Sequence, residues 1–277
     1  MKRLSLIFAA TFALTACEQQ PAGEPVVRSE IGDAVPRPIQ DPVETLAAEE
    51  NEDTACRSVT FEDVPLTHCT ADPETHRIST GLAPSSGPNF GTIEGWAAGR
   101  DESTIAFVMN GGMYDDALKP IGYFVRDEDR LGELNRRDGS GNFYLKPNGV
   151  FFGTGGRWQI LTSDTFLRTI GTRPQFGTQS GPMLVVGGKL HPEIQDNGPS
   201  KAIRNGVGID AEGKAHFVIS DAPLSFGQLA RYFRDEVKTP NALFLDGNVS
   251  SLWHPASGRM DKQRVGPVIV VERRDGQ

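Results

Sequence analysis

The chain has 277 residues, 38% of them hydrophobic, and a formal net charge of −8. That length and composition allow a sizeable core. The absence of a basic excess argues against a nucleic-acid-binding role.

The first 17 residues read as an export signal. Lys2 and Arg3 give a positive start, and Leu4 to Leu14 is an apolar stretch too short to span a membrane as a mature helix. It ends Leu14-Thr15-Ala16-Cys17, which resembles a bacterial lipobox. The resemblance implies cleavage before Cys17, lipid on its sulfur and a periplasm-facing anchor in the cell envelope. Glu18, rather than Asp, after the cysteine favours the outer membrane. Residues 18–54 hold five prolines, no aromatic residue, ten acidic side chains and two basic ones. Such a stretch cannot bury enough apolar surface to offset its ordering entropy, so it reads as a disordered tether. Most of the negative charge belongs to this tether, which leaves residues 55–277 nearly neutral.

Residues 55–277 are expected to form one domain. Export to an oxidising compartment predicts a disulfide between Cys56 and Cys69, joining strands Val59 to Val64 and Thr67 to Ala71 across Pro65. Dense Gly and Pro, with apolar runs of four to six residues, predict many strands. They include Arg77 to Leu82, Ile105 to Met109, Ile121 to Val125, Asn142 to Leu145, Val150 to Gly153, Trp158 to Leu161, Met183 to Val186, Ala202 to Ile209, Ala215 to Ser220, Ala242 to Leu245 and Pro267 to Val271. Pro147-Asn148-Gly149 and Gly187-Gly188 read as hairpin turns. Three helices are predicted, at Phe90 to Gly99, Asp164 to Ile170 and Phe226 to Val237, the last capped by Ser225. The expected fold class is α+β, a single domain with a mixed or mostly antiparallel sheet and a few packed helices.

Four glycine-hinged polar stretches stand at the ends of apolar runs. Asn110-Gly111-Gly112 follows one strand, and Ser180-Gly181-Pro182 precedes another. Arg204 lies within an apolar strand, where a guanidinium needs an anionic partner, either a structural carboxylate or a ligand phosphate. Asp246-Gly247 ends the run Leu243 to Leu245 and leads to Ser250 and Ser251. Each alone also suits an ordinary turn. Together and in this order, the blocks N-G-G, S-G-P, R-x-x-x-G and L-D-G-x-x-S-S resemble the phosphodiester glycosidase domain family over roughly residues 75 to 272. The stretches GNFYLKPNGVFF, TQSGPMLV, IRNGVGID and LFLDGNVSSL are similar to a bacterial exported branch of it. Where the family's enzymes tend to have more glycine after Asp-Gly, this chain has Asn248-Val249.

The resemblance implies hydrolysis of a sugar 1-phosphodiester at the anomeric carbon. The leaving phosphate monoester needs charge neutralisation, for which Arg204 and the amides near Gly111 and Gly181 are suited. The anomeric carbon needs a carboxylate as nucleophile or as base for water, for which Asp246 is the candidate. Asp221, at the end of strand Ala215 to Ser220, is the candidate second carboxylate, though a turn Asp is its plainer reading. Asn110, Gly112, Ser180 and Gly247 fall to substrate binding, with Ser250 and Ser251 there or orienting Asp246. No cofactor is expected. No metal-ligand spacing occurs, and no nucleophile elbow accompanies the five histidines, of which His191 and His254 read as turn residues. The rival reading is a non-catalytic envelope lipoprotein that binds a glycan or phosphoglycan with the same residues.

Overall fold

The computed structural model describes residues 55–84 and 91–274. The signal, Cys17, the tether and Phe90 lie outside them. Three antiparallel sheets enclose one apolar core. The first has seven strands, in spatial order Cys56–Phe61, Val64–Ala71, Ala215–Ser220, Asn205–Ile209, Asn241–Phe244, Met183–Val186 and Lys189–Leu190. The second has five, in the order Arg259–Met260, Leu252–His254, Ile105–Asn110, Pro267–Arg273 and His76–Leu82. The third has Asp129–Gly132, Phe124–Arg126, Phe176–Ser180, Gly149–Thr154 and Arg157–Thr162. A short pair, Lys201–Ala202 and Leu224–Ser225, completes the ladders.

Strand alternation sorts the side chains. Val207, Phe217 and Leu243 of the seven-stranded sheet face Phe107, Met109 and Ile269 of the second sheet and Phe151 and Phe176 of the third. Phe217 meets Phe107 and Phe151 edge to face. Each outer face carries one helix. Helix α1 (Ile93–Ala97) covers the second sheet, α2 (Ser163–Thr169) the third, and α3 (Phe226–Arg231) the first. A capping box between Ser225 and Gln228 starts α3, which runs on as one π-helical turn, Tyr232–Glu236.

The expected disulfide is formed: Cys56 and Cys69 face each other across the first hairpin. That hairpin turns at Glu62-Asp63, both with positive φ, so Pro65 lies inside the second strand and not at the join. With a sequence separation of 13 between the cysteines, replacing both by serine is expected to cost about 3 kcal/mol, read by urea unfolding. The Gly187-Gly188 turn is as expected. Asn142–Tyr144 is a 3-10 turn, not a strand, and the hairpin that follows turns at Gly155-Gly156 rather than at Pro147-Asn148-Gly149. The predicted strand Ala202 to Ile209 breaks at Ile203-Arg204 into two strands of different sheets. His191 and His254 are buried, not surface turn residues.

Candidate active site

Asp246 stands where the chain leaves one sheet for another. Strand Asn241–Phe244 belongs to the seven-stranded sheet, and strand Leu252–His254 to the second. The crossover between them is held by backbone and amide groups. The Asp246 N–H donates to Gly111 O at 3.1 Å, and Leu245 N–H to Asn205 O at 3.2 Å. Asn110 is the knot. Its Nδ2 donates to Asp246 O, while its Oδ1 accepts from Asn205 Nδ2 and Ser251 N, each at 2.8 Å.

The Asp246 carboxyl is treated differently from its backbone. Burial pushes it up to about 6, and the Asn248 backbone N–H only partly opposes this. No ion pair holds it among the described residues. Tyr114 stands close enough that the Asp246 charge adds to burial in raising the phenol above its ordinary value. The Tyr114 hydroxyl donates to Arg264 O at 2.7 Å. Its ring lies over Gly266, where a Cβ would come within 2.6 Å of it.

The glycines serve close packing. Gly111 N–H donates to Pro267 O at 2.7 Å, and Gly112 N–H to Thr178 Oγ1 at 3.0 Å. Both amides are taken up within the chain, which corrects the expectation that they cradle an anion. A Cβ on Gly112 would lie 2.1 Å from Gln179 O, so this turn can press against strand Phe176–Ser180 only as glycine. Gly181 sits against Asn148 Cβ and Phe143 O, and Gly247 against the Phe244 ring. Ser250 Oγ lies 3.0 Å from Gly247 O and 3.2 Å from Asn205 Oδ1, and Ser251 Oγ donates to Val249 O at 2.8 Å. Those bonds make both serines, like Asn110, braces of the crossover. Ser180 is fully buried on the same strand face as Thr178, and its hydroxyl has no partner among the described residues.

Arg204 is buried, but not against a carboxylate. Its Nε donates to Leu224 O at 3.0 Å, and its Nη2 to Ser200 O and Oγ at 3.1 Å. The guanidinium lies 3.7 Å above the Phe226 ring. Neutral oxygens and an aromatic face thus replace the expected anionic partner. Burial lowers its pKa to about 10, which leaves it charged at neutral pH. Arg204 immediately precedes strand Asn205–Ile209 and Asp246 lies two residues past the end of its neighbour Asn241–Phe244, with no hydrogen bond or ion pair between them among the described residues.

Asp221 is not gathered with Asp246. It pairs with Arg259 at 2.7 Å and accepts from Thr67 Oγ1 at 2.8 Å. Arg259 also grips Asp261, whose Oδ2 accepts Leu252 N–H. Asp221 thus ties the two sheets together, two strands and so about 10 Å from the strand that ends at Asp246. This corrects its reading as the second carboxylate. Sequence reasoning passed over Asn205 and Thr178 as site residues. Alternation could have found Asn205, since it puts that residue on the inner face with Val207 and Arg204 on the outer one.

A profile of the phosphodiester glycosidase family matches residues 103–272. The uncharacterized protein YigE of Escherichia coli (strain K12) is 34% identical over 185 residues, covering 66% of this chain and 72% of that protein. Among solved structures, the catalytic domain of zebrafish N-acetylglucosamine-1-phosphodiester alpha-N-acetylglucosaminidase, auto-inhibited by its pro-peptide, superposes with a TM-score of 0.52 at 18% identity, covering 79% of this chain and 82% of that one. A hypothetical protein from Synechocystis gives a TM-score of 0.50 at 15% identity, covering 79% of this chain and 61% of that one. These two share the fold. With the family profile spanning most of the described residues and a relative at 34% identity, the chain belongs to the phosphodiester glycosidase family.

Proposed function

We propose that the protein is a cell-envelope lipoprotein, anchored through Cys17, that hydrolyses a sugar 1-phosphodiester at the anomeric carbon. The observation that carries the reading is Asp246: a largely buried carboxyl without a cation, at a crossover between sheets, in the family's L-D-G block. A phosphate monoester leaves as a weak base, so the site must balance charge more than supply a proton. Arg204, charged and at the adjoining strand end, is the cation for that task. Asp246 in its ionised form attacks the anomeric carbon or takes a proton from attacking water. Tyr114 supplies a hydroxyl for the sugar or the phosphate.

The experiment is turnover of a panel of sugar 1-phosphodiesters in ¹⁸O-labelled water. Label in the sugar is the expected result, and label in the phosphate would make the protein a phosphodiesterase. Because ionised Asp246 is required, kcat/KM is expected to rise with pH through about 6 and to be lost below it. A profile flat from pH 5 to 8 would remove Asp246 from the reaction. The engagement of Asp221 by Arg259 favours one alternative, a glycan-binding protein with a single carboxylate and no turnover. Saturable binding of a panel member without any product would establish that reading instead.

A further inference from the structure

A line of four side chains lies on the outer face of the seven-stranded sheet, apart from the site above. His68 and His216 stand on neighbouring strands, and the register that pairs Val218 with His68 sets His216 diagonally beside it on the same face. His68 Nε2 and His216 Nδ1 are 2.9 Å apart. His216 Nε2 is 2.9 Å from Asp210 Oδ2, and His68 Nδ1 is 2.8 Å from Tyr232 Oη. Every ring nitrogen is engaged, so a carboxylate, two imidazoles and a phenol form one continuous hydrogen-bonded chain. All four line a cavity of about 520 Å³, together with Arg57 and Lys238.

Each of the three gaps holds one proton, and the partners decide its direction. Asp210 is ionised: burial works against its charge, but hydrogen bonds from His216 and the Lys214 backbone outweigh this and hold it below the usual range. His68 stays neutral, because burial, with the nearby His216 and Arg57, takes it down to about 3. An added proton is held by His216, the ring paired with the Asp210 carboxylate at 2.9 Å. With His216 neutral, its Nε2–H donates to Asp210, its bare Nδ1 accepts His68 Nε2–H, and His68 Nδ1 accepts the Tyr232 O–H. One added proton on His216 reverses the outer part of the chain. His216 Nδ1–H now donates to His68 Nε2, His68 Nδ1–H donates to Tyr232 Oη, and the phenol proton turns toward the cavity.

We propose that this chain is a proton-driven switch, which presents Tyr232 to a cavity ligand as an acceptor when His216 is neutral and as a donor when His216 is protonated. A proton entering from the cavity at Tyr232 displaces the phenol proton to His68 Nδ1 and the His68 Nε2 proton to His216 Nδ1. One proton has entered, and the charge rests on His216 beside Asp210. Facing the chain are Arg57 on the first strand, Glu212 and Lys214 in the turn after Asp210, Glu236 at the end of the π-helical turn and Lys238 beyond it. The Lys214 ammonium is occupied by Asp72 at 2.7 Å.

The test is ¹⁵N NMR of the histidine rings across a pH titration of the whole protein, since bare and protonated ring nitrogens differ widely in shift. The expected result is that His68 changes tautomer, from Nε2–H to Nδ1–H, while staying neutral, at the pH where His216 gains its proton. A His68 ring that keeps one tautomer through that titration, or that itself becomes charged there, would overturn the proposal.

Discussion

Asp246→Asn is expected to give a protein with greatly reduced turnover of the proposed substrate that resists urea better at pH 7. The carboxyl is pushed up to about 6 in the folded protein, from an ordinary value of 3.8. Between those values the folded state binds more protons than the unfolded state, so stability falls as pH rises through that window. At pH 7 the wild type carries the whole penalty, up to about 3 kcal/mol for a carboxyl raised from 3.8 to about 6. The amide has no charge to desolvate and escapes it. The gain is expected to shrink as pH falls below 6 and to vanish below about pH 3, where the carboxyl is protonated in both the folded and the unfolded state. Turnover should drop by about 10² to 10⁴-fold, the range for losing a positioned acid or base. A variant no more stable than the wild type at pH 7 would show that the carboxyl is already solvated or paired.

Asn110→Ala is expected to do the opposite, with a stability loss of about 2–6 kcal/mol, because two buried donors lose their acceptor at once. The Asn205 amide and the Ser251 N–H depend on this one side chain, while the Asp246 carbonyl loses the shorter of its two bonds and keeps the Val249 N–H at 3.3 Å. Each left unsatisfied costs about 1–3 kcal/mol. Urea unfolding reads the loss directly. If Asn110 were instead a substrate ligand only, the variant would unfold like the wild type and show its defect in KM alone. The pair of variants therefore separates the group proposed to perform the chemistry from the group that holds it in place.

These bonds also explain which parts of the molecule were legible in its sequence. Apolar runs ending in Asn-Gly or Asp-Gly marked strand ends correctly at Asn110 and Asp246, because burial on both faces leaves a continuous apolar signature. Strand Phe176–Ser180 left no such mark. It is the central strand of its sheet, yet its second half is Thr, Gln and Ser. Gln179 alone bonds the backbones of Tyr123 and Asn135 and the Ser163 hydroxyl. A buried polar residue satisfied by loops distant in sequence looks, in the sequence, like a loop itself. Arg204 was legible as a buried cation, but not its neutral partners, since carbonyl groups carry no residue signature. Asp221 shared the strand-end pattern of Asp246, and only the distant Arg259 tells the two apart.

The crossover from Asp246 to Ser251 has a consequence for how this chain can vary. A hairpin loop has both ends on one sheet and can lengthen outward without disturbing it. This segment is moored to a different ladder at each end, so an inserted or deleted residue would move Asp246 relative to Tyr114 or pull Leu252 out of register with Met109. Side-chain identity is freer than length. Asn248 points into solvent, so exchange there leaves the spacing intact, and the Asn248-Val249 pair can stand in place of glycine without altering the span. Variation in this segment should therefore be written in substitutions at a constant number of residues.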